Sequence, residues 1–297
     1  MIEPLKIALV GAGHMGRLYA RTIAGREDAA LVAVCDTDAA AAAALAQTYG
    51  TRALGEVEGL AGAVDAVVLA AATSAHRDLA LPLIRAGVPL LVEKPLAGTA
   101  AEALQIARAA ERADALLQVG HILRFDPVTR AIAGRTFRPT IVSVSWRSPF
   151  TGRSTDISVV MDLAIHGIDL ALKWAGGFPE KVTAKGRTVK GPHMDEVEAH
   201  LEFAGGCAAD LVASRASESR ERRIRIAAGT ESIKLDYAAR TVRWGSQVLP
   251  VETGPDALTA QMNAFLAAVR GEAQVAVSAD EGARAVEVAE QIERAAG

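Results

Sequence analysis

Leu5-Lys6-Ile7-Ala8-Leu9-Val10 runs directly into Gly11-Ala12-Gly13-His14-Met15-Gly16, and Asp36 stands twenty positions beyond Gly16. An apolar run, a GxGxxG turn, a helix-forming stretch and an acid at that distance make up the dinucleotide fingerprint of a βαβ unit. Gly11 permits the tight turn, Gly13 lets the backbone approach a pyrophosphate, and Gly16 allows close helix–strand packing. The helix amino terminus, with His14 and Met15 beside it, then offers oriented N–H groups and a positive dipole end to the phosphates. Asp36 can accept both ribose hydroxyls of NAD and would repel the extra phosphate of NADP. Thr37 and Asp38 follow it, not an arginine. NAD is the expected cofactor.

Working outward, strand-like runs at Leu5–Val10, Leu31–Cys35, Asp65–Ala70, Val88–Val92 and Ala115–Val119 alternate with helix-like stretches near Met15–Gly25, Asp38–Tyr49, His76–Gly87 and Thr99–Arg112. That rhythm predicts right-handed βαβ crossovers and a parallel sheet. Thr37 or Asp38 can cap the alanine-rich helix, and Gly50 can end it. After Gly120 the rhythm changes. A strand at Thr140–Trp146 and a long helix from about Asp156 to Ala175 precede seven alternating runs from Lys181 to Val251, and helices near Asp256–Arg270 and Ser278–Ala295 follow. Consecutive strands with short turns predict a mostly antiparallel sheet with helices on one face. The expected fold is α/β: a doubly wound Rossmann domain over residues 1–120, then an α+β domain with an open sheet over residues 121–297.

Composition narrows the function classes. Of 297 residues, 51% are hydrophobic and 23% charged, enough to bury two cores. A formal charge of −3 argues against a nucleic-acid partner, which demands a basic surface. Cys35 and Cys207 are the only cysteines, so neither a disulfide framework nor a metal cluster is expected. The first strand opens near Met1 and no apolar run nears the ~20 residues of a membrane span. A cytoplasmic protein without a membrane partner is expected. An exposed sheet face in a chain this apolar points to a homodimer or homotetramer through the C-terminal sheet.

Two places carry reactive side chains. Glu93-Lys94-Pro95 closes the strand Val88–Val92, at the carboxyl edge where open α/β sheets bind ligands. Asp162, His166 and Asp169 recur at four and seven residues, one stripe of an otherwise apolar helix. No second histidine or cysteine cluster accompanies them, so no metal is expected. Oxidising an alcohol requires hydride transfer and removal of the hydroxyl proton. Histidine suits proton removal because its ordinary pKa lies near neutrality. A carboxylate one turn away can orient the ring, and a lysine can polarise the reacting oxygen. Lys94, Asp162 and His166 are the catalytic candidates, with Asp169 assigned to the substrate.

The ordered set resembles the glucose-fructose oxidoreductase / inositol dehydrogenase / rhizopine-catabolism (Gfo/Idh/MocA) family. It consists of the amino-terminal GxGxxG, Glu93-Lys94-Pro95, Gln118-Val119-Gly120-His121 with Arg124-Phe125, and Asp162-x-x-x-His166. The resemblance implies a Rossmann domain followed by an open sheet, Lys94 and His166 as the catalytic pair with Asp162 assisting, and often a cis Lys–Pro bond. It also implies cofactor contacts at Thr73, Ser74, His76, Glu93 and His121. Gly120–Pro127, Arg147–Asp156 and Leu211–Arg215 are similar to members that oxidise the 3-hydroxyl of UDP-N-acetylglucosamine. Those members usually read Ile-His-Asp-Ile-Asp where this chain has Gly167 after His166. Six arginines and one acid lie between His121 and Thr155, and guanidinium forks suit a diphosphate. Arg124 and Arg153 are the candidates for it. The alternatives are a dehydrogenase of an uncharged polyol or free sugar, of the inositol type, and a non-catalytic NAD-sensing regulator.

Overall fold

A computed structural model describes residues 3–152 and 156–297, and the candidate Arg153 lies outside the described residues. The chain forms two compact units. Residues 1–122 with 258–283 make one, and residues 123–257 with 284–297 make the other.

The first unit contains β1 (Leu5–Val10), α1 (His14–Ala24), β2 (Ala29–Cys35), α2 (Ala39–Tyr49), β3 (Arg52–Leu54), β4 (Ala66–Leu69), α3 (His76–Arg85), β5 (Leu90–Glu93), α4 (Ala100–Arg112) and β6 (Leu117–Gly120). All pairings are parallel, in the order β3-β2-β1-β4-β5-β6. The order reverses between β1 and β4, the crevice where doubly wound sheets take dinucleotides. β4, β5 and β6 are buried throughout and β1 from Ile7 onward, as the apolar runs require. Asp38 caps α2 by accepting from the N–H groups of Ala40 and Ala41, and Gly50 ends it at φ 64°. The three-residue β3 is too short to show a period in the sequence.

A linear division at residue 120 does not contain one feature. Within this unit α7 (Ala257–Val269) places Leu258, Met262, Phe265 and Leu266 in the core formed by Ile7, Leu9, Tyr19, Ile23 and Val68. The helix carries no charged residue, so it is suited to an interior.

The second unit holds α5 (Pro127–Arg130), β7 (Ile141–Arg147), α6 (Ile165–Ala175), β8 (Pro179–Arg187), β9 (Glu196–Phe203), β10 (Ala208–Ser214), β11 (Glu221–Ala228), β12 (Glu231–Asp236), β13 (Thr241–Trp244), β14 (Gln247–Leu249) and most of α8 (Ala279–Ala296). The strand order is β14-β13-β12-β11-β7-β10-β9-β8. Hairpins join β8–β10 and β11–β14 into two antiparallel meanders, and β7, entering before the helical crossover, inserts between them, antiparallel to β11 and parallel to β10. Alternation buries Val142, Val144, Trp146, Leu211, Ala213, Ile224 and Ile226 on one face. The helix expected from Asp156 is shorter and has two parts: a π turn at Val160–Ala164, then α6. Ser158 sets its start, its Oγ accepting from the N–H groups of Val160 and Met161. No described helix is long and apolar enough to cross a membrane.

Candidate active site

The cofactor cradle is built by sterics. A Cβ on Gly16 would stand 1.9 Å from the carbonyl oxygen of Gly11, and one on Gly11, at φ 103°, would stand 2.4 Å from that of Ala70. Both positions are closed to any side chain. A Cβ on Gly13 would meet nothing within 4 Å, so open space lies over the turn. α1 has no side-chain cap, in contrast to α2 and α4, and no acid in its first turn. Its N–H groups thus face that space without an internal acceptor, the arrangement a pyrophosphate needs. Asp36 is fixed by the N–H groups of Ala12 (2.6 Å) and Asp38 (2.8 Å). It lines a cleft of about 550 Å³ with Gly11, Gly13, Cys35, Thr37 and Ala72. His14 is exposed and Met15 half-buried on the first turn of α1.

The other carboxyl-edge positions differ in character. Thr73 and Ser74 form a short helical turn after β4. His76 is buried, its Nδ1 facing the carbonyl oxygen of Pro95 at 3.0 Å and its Nε2 that of Ala71 at 3.1 Å. It therefore ties two edge loops together. Burial lowers its pKa against the pull of those carbonyls. Lys94 is half-buried and its bond to Pro95 is cis. Glu93 turns inward and accepts from the phenol of Tyr19, and His121 is buried beyond β6. Burial raises the Glu93 carboxyl pKa despite that hydrogen bond and the nearby Lys94.

In the second unit, Asp162 lies in the π turn and His166 in the first turn of α6, both half-buried. A π turn within a helix is a frequent mark of a functional position. The His166 ring lies 6.3 Å from the indole of Trp146, which also meets Tyr237 at 5.3 Å. Asp169 shares the sequence stripe but points elsewhere. It is buried in a two-pronged pair with Arg124, Nε to Oδ2 at 2.8 Å and Nη2 to Oδ1 at 2.7 Å. The fork geometry that would suit a diphosphate is taken by a carboxylate, so these two substrate candidates hold each other. Packing closes position 167 to a side chain: a Cβ on Gly167 would stand 2.6 Å from Cγ1 of Val144. Sequence reasoning missed Trp146, Tyr237 and Tyr19; alternation along β7 was the available signal for Trp146. Among the described residues no group of three or more His, Cys, Asp or Glu could hold a metal ion.

A six-stranded doubly wound sheet, a glycine turn opening on a cleft and Asp36 lining that cleft are the features of a dinucleotide-binding Rossmann domain. Residues 5–121 match the family model described as oxidoreductase family, NAD-binding Rossmann fold, and residues 130–234 match the GFO/IDH/MocA C-terminal domain. The chain belongs to the Gfo/Idh/MocA family. It is 31% identical to a UDP-N-acetylglucosamine 3-dehydrogenase from Acidithiobacillus ferrooxidans over 97% of this chain and 96% of that one. The solved structure of the Acidithiobacillus ferrooxidans enzyme superposes with a TM-score of 0.92 over 100% and 98% of the two chains. An inositol 2-dehydrogenase from Rhizobium meliloti is 30% identical over 96% and 95%. The WlbA dehydrogenase from Bordetella pertussis, solved with NADH and UDP-GlcNAcA, shares the fold at a TM-score of 0.86 and 22% identity over 99% and 97%.

Proposed function

We propose that this protein oxidises a secondary hydroxyl of a sugar, the 3-hydroxyl of a UDP-N-acetyl-hexosamine, in the cytoplasm. The carrying observation is the whole-length likeness to a UDP-N-acetylglucosamine 3-dehydrogenase, in a chain that holds Lys94, Asp162 and His166 in the order the family resemblance implies. Bound NAD supplies the hydride acceptor. Gly11, Gly13, His14, Met15, Gly16 and Asp36 hold it, with Thr73, Ser74 and the region of Glu93 and His121 shaping the edge. His166 takes the hydroxyl proton, Asp162 orients its ring, and Lys94 stabilises alkoxide character on the reacting oxygen. In this reading the first unit binds the cofactor and the second the substrate.

The second reading, an inositol-type dehydrogenase, is favoured by the Rhizobium meliloti relative. Purified protein with NAD is offered nucleotide sugars, inositols and free hexoses, with and without 2-oxoglutarate, while reduced nicotinamide is followed. Turnover of UDP-N-acetylglucosamine supports the first reading, and activity on uncharged polyols alone defeats it. His166→Ala separates both from an NAD-sensing regulator. The enzyme loses turnover by about a hundredfold or more, whereas a sensor keeps its cofactor response.

We also propose a homo-oligomer through the outward face of the second sheet. That face carries Lys181, Glu202, Asp210, Ser143 and Arg225, with the exposed Ile141 and Val248 among them. Light scattering of the purified protein tests it.

A further inference from the structure

The run Glu221-Arg222-Arg223-Ile224-Arg225 alternates across β11, and the ladder sorts its arginines. Arg223 and Arg225 lie on the outward face, where Arg223 meets Asp236 at 2.7 Å. Arg222 lies on the inward face, opposite Trp146 of β7. Its guanidinium carbon stands 5.6 Å from the indole centroid, on the ring that also meets His166 and Tyr237.

The surroundings of Arg222 are unlike those of the other inward arginines. Arg124 is closed on Asp169, and Arg215 is closed on Asp195 at 2.7 Å. The Arg222 Nε is buried and has no hydrogen-bond partner among the described residues. Burial lowers its pKa and the neighbouring Arg220 lowers it further, while Asp126 and Asp162 attract it through space. Asp126 is occupied as the cap of α5, accepting from the N–H of Val128. A cation held in a desolvated place with an unused donor is stabilised by an anion that brings its own acceptors. The aromatic face beneath it fixes the fork in one plane.

We propose that Arg222 is the residue that recognises an oxyanion of the substrate, so that the oxidised sugar carries a phosphodiester, diphosphate or carboxylate group. The inference rests on the sugar-dehydrogenase reading above and replaces Arg124 as the anion ligand. It places the anion one indole ring from the proposed base, which limits how far the charged group stands from the reacting hydroxyl.

The test uses the full chain saturated with NADH, so that hydroxyl ligands bind without being oxidised. Affinities for UDP-N-acetylglucosamine, UDP, glucuronate and inositol are measured by calorimetry on wild type, Arg222→Gln and Arg222→Lys. Wild type should bind at least one anionic ligand more tightly than inositol. Arg222→Gln should weaken that ligand by roughly ten- to a hundredfold, with NADH and inositol affinities unchanged and part of the loss recovered by Arg222→Lys. UDP against glucuronate tells a diphosphate from a carboxylate. Equal weakening of charged and uncharged ligands, no weakening, or a wild type that prefers inositol overturns the proposal. Because the readout is binding, a failure of the dehydrogenase reading shows separately, as absent turnover in the wild type.

Discussion

The phenol of Tyr19 in α1 donates a 2.5 Å hydrogen bond to Oε1 of Glu93, the last residue of β5 and the neighbour of Lys94. Gln261 of α7 donates in turn to the Tyr19 oxygen at 2.6 Å, and the N–H of Lys94 reaches Glu93 Oε2 at 3.1 Å. Burial raises the Tyr19 pKa, with Glu93 adding to it. The dinucleotide helix, the lysine-bearing strand and a helix from far along the chain thus share one dry polar chain. Tyr19→Phe leaves Glu93 and Gln261 short of a partner and is expected to cost about 1–3 kcal/mol in denaturant unfolding. Turnover should fall with it, because the strand end that presents Lys94 loses its anchor. Unchanged stability would show that the chain contributes nothing.

Asp195 should govern acid stability. Burial alone would raise its carboxyl. The N–H groups of Gly191, Lys190 and Val189 and the guanidinium of Arg215 outweigh burial and hold it well below the usual carboxylate range. For a depressed acid the stabilisation is complete above the unfolded pKa of about 4 and is lost as pH falls toward the folded value. Asp195→Asn should cost about 3–5 kcal/mol at neutral pH, the range for breaking a buried pair, and should flatten the stability profile below pH 4. Arg215 also donates to the carbonyl of Ile157 beside Ser158, so the variant should reduce turnover as well. Parallel acid profiles for variant and wild type would contradict this.

Cys35 lines the cleft beside the glycine turn and should still be inert. Burial, with Glu58 adding, pushes its thiol up to about 11. Only the thiolate is alkylated, so iodoacetamide at pH 8 should leave Cys35 unmodified in the native protein and modify it in guanidinium. Mass spectrometry of the peptide reads the outcome. Rapid native labelling would count against it.

Gly167 and Val144 should behave as a pair. Gly167→Ala forces a methyl against a β-branched side chain with little rotamer freedom, at a cost of about 1–3 kcal/mol. Gly167→Asp should cost more, since it also buries a carboxylate. Val144→Ala should recover much of the Gly167→Ala loss, giving a coupling in a double-mutant cycle. Additive costs would break the link.

The first unit was readable because each of its signals is local. Gly11, Gly13 and Gly16 each answer one steric demand within six residues, and Asp38 and Gly50 mark their own helix. The antiparallel strands were readable for the same reason, since alternation over Glu196–Phe203 or Glu231–Asp236 is a local property. Pairing over distance was not. Arg124 and Asp169 were each assigned to a ligand from charge and position, though 45 residues apart they neutralise each other. Tyr19 and Gln261, 242 residues apart, carried no signal of meeting. The π turn at Val160–Ala164 was hidden because it leaves the hydrophobic pattern nearly unchanged over so few residues.

The return of residues 258–283 to the first unit sets a timetable for synthesis. The nucleotide-binding segment leaves the ribosome first, yet Met262, Phe265 and Leu266 fill its core and Gln261 completes its buried polar chain. Until those residues are made, the nascent sheet has an apolar gap beside Tyr19 and Ile23, and it must wait while the whole intervening sheet emerges. The core of the first unit is therefore completed late in the life of the growing chain.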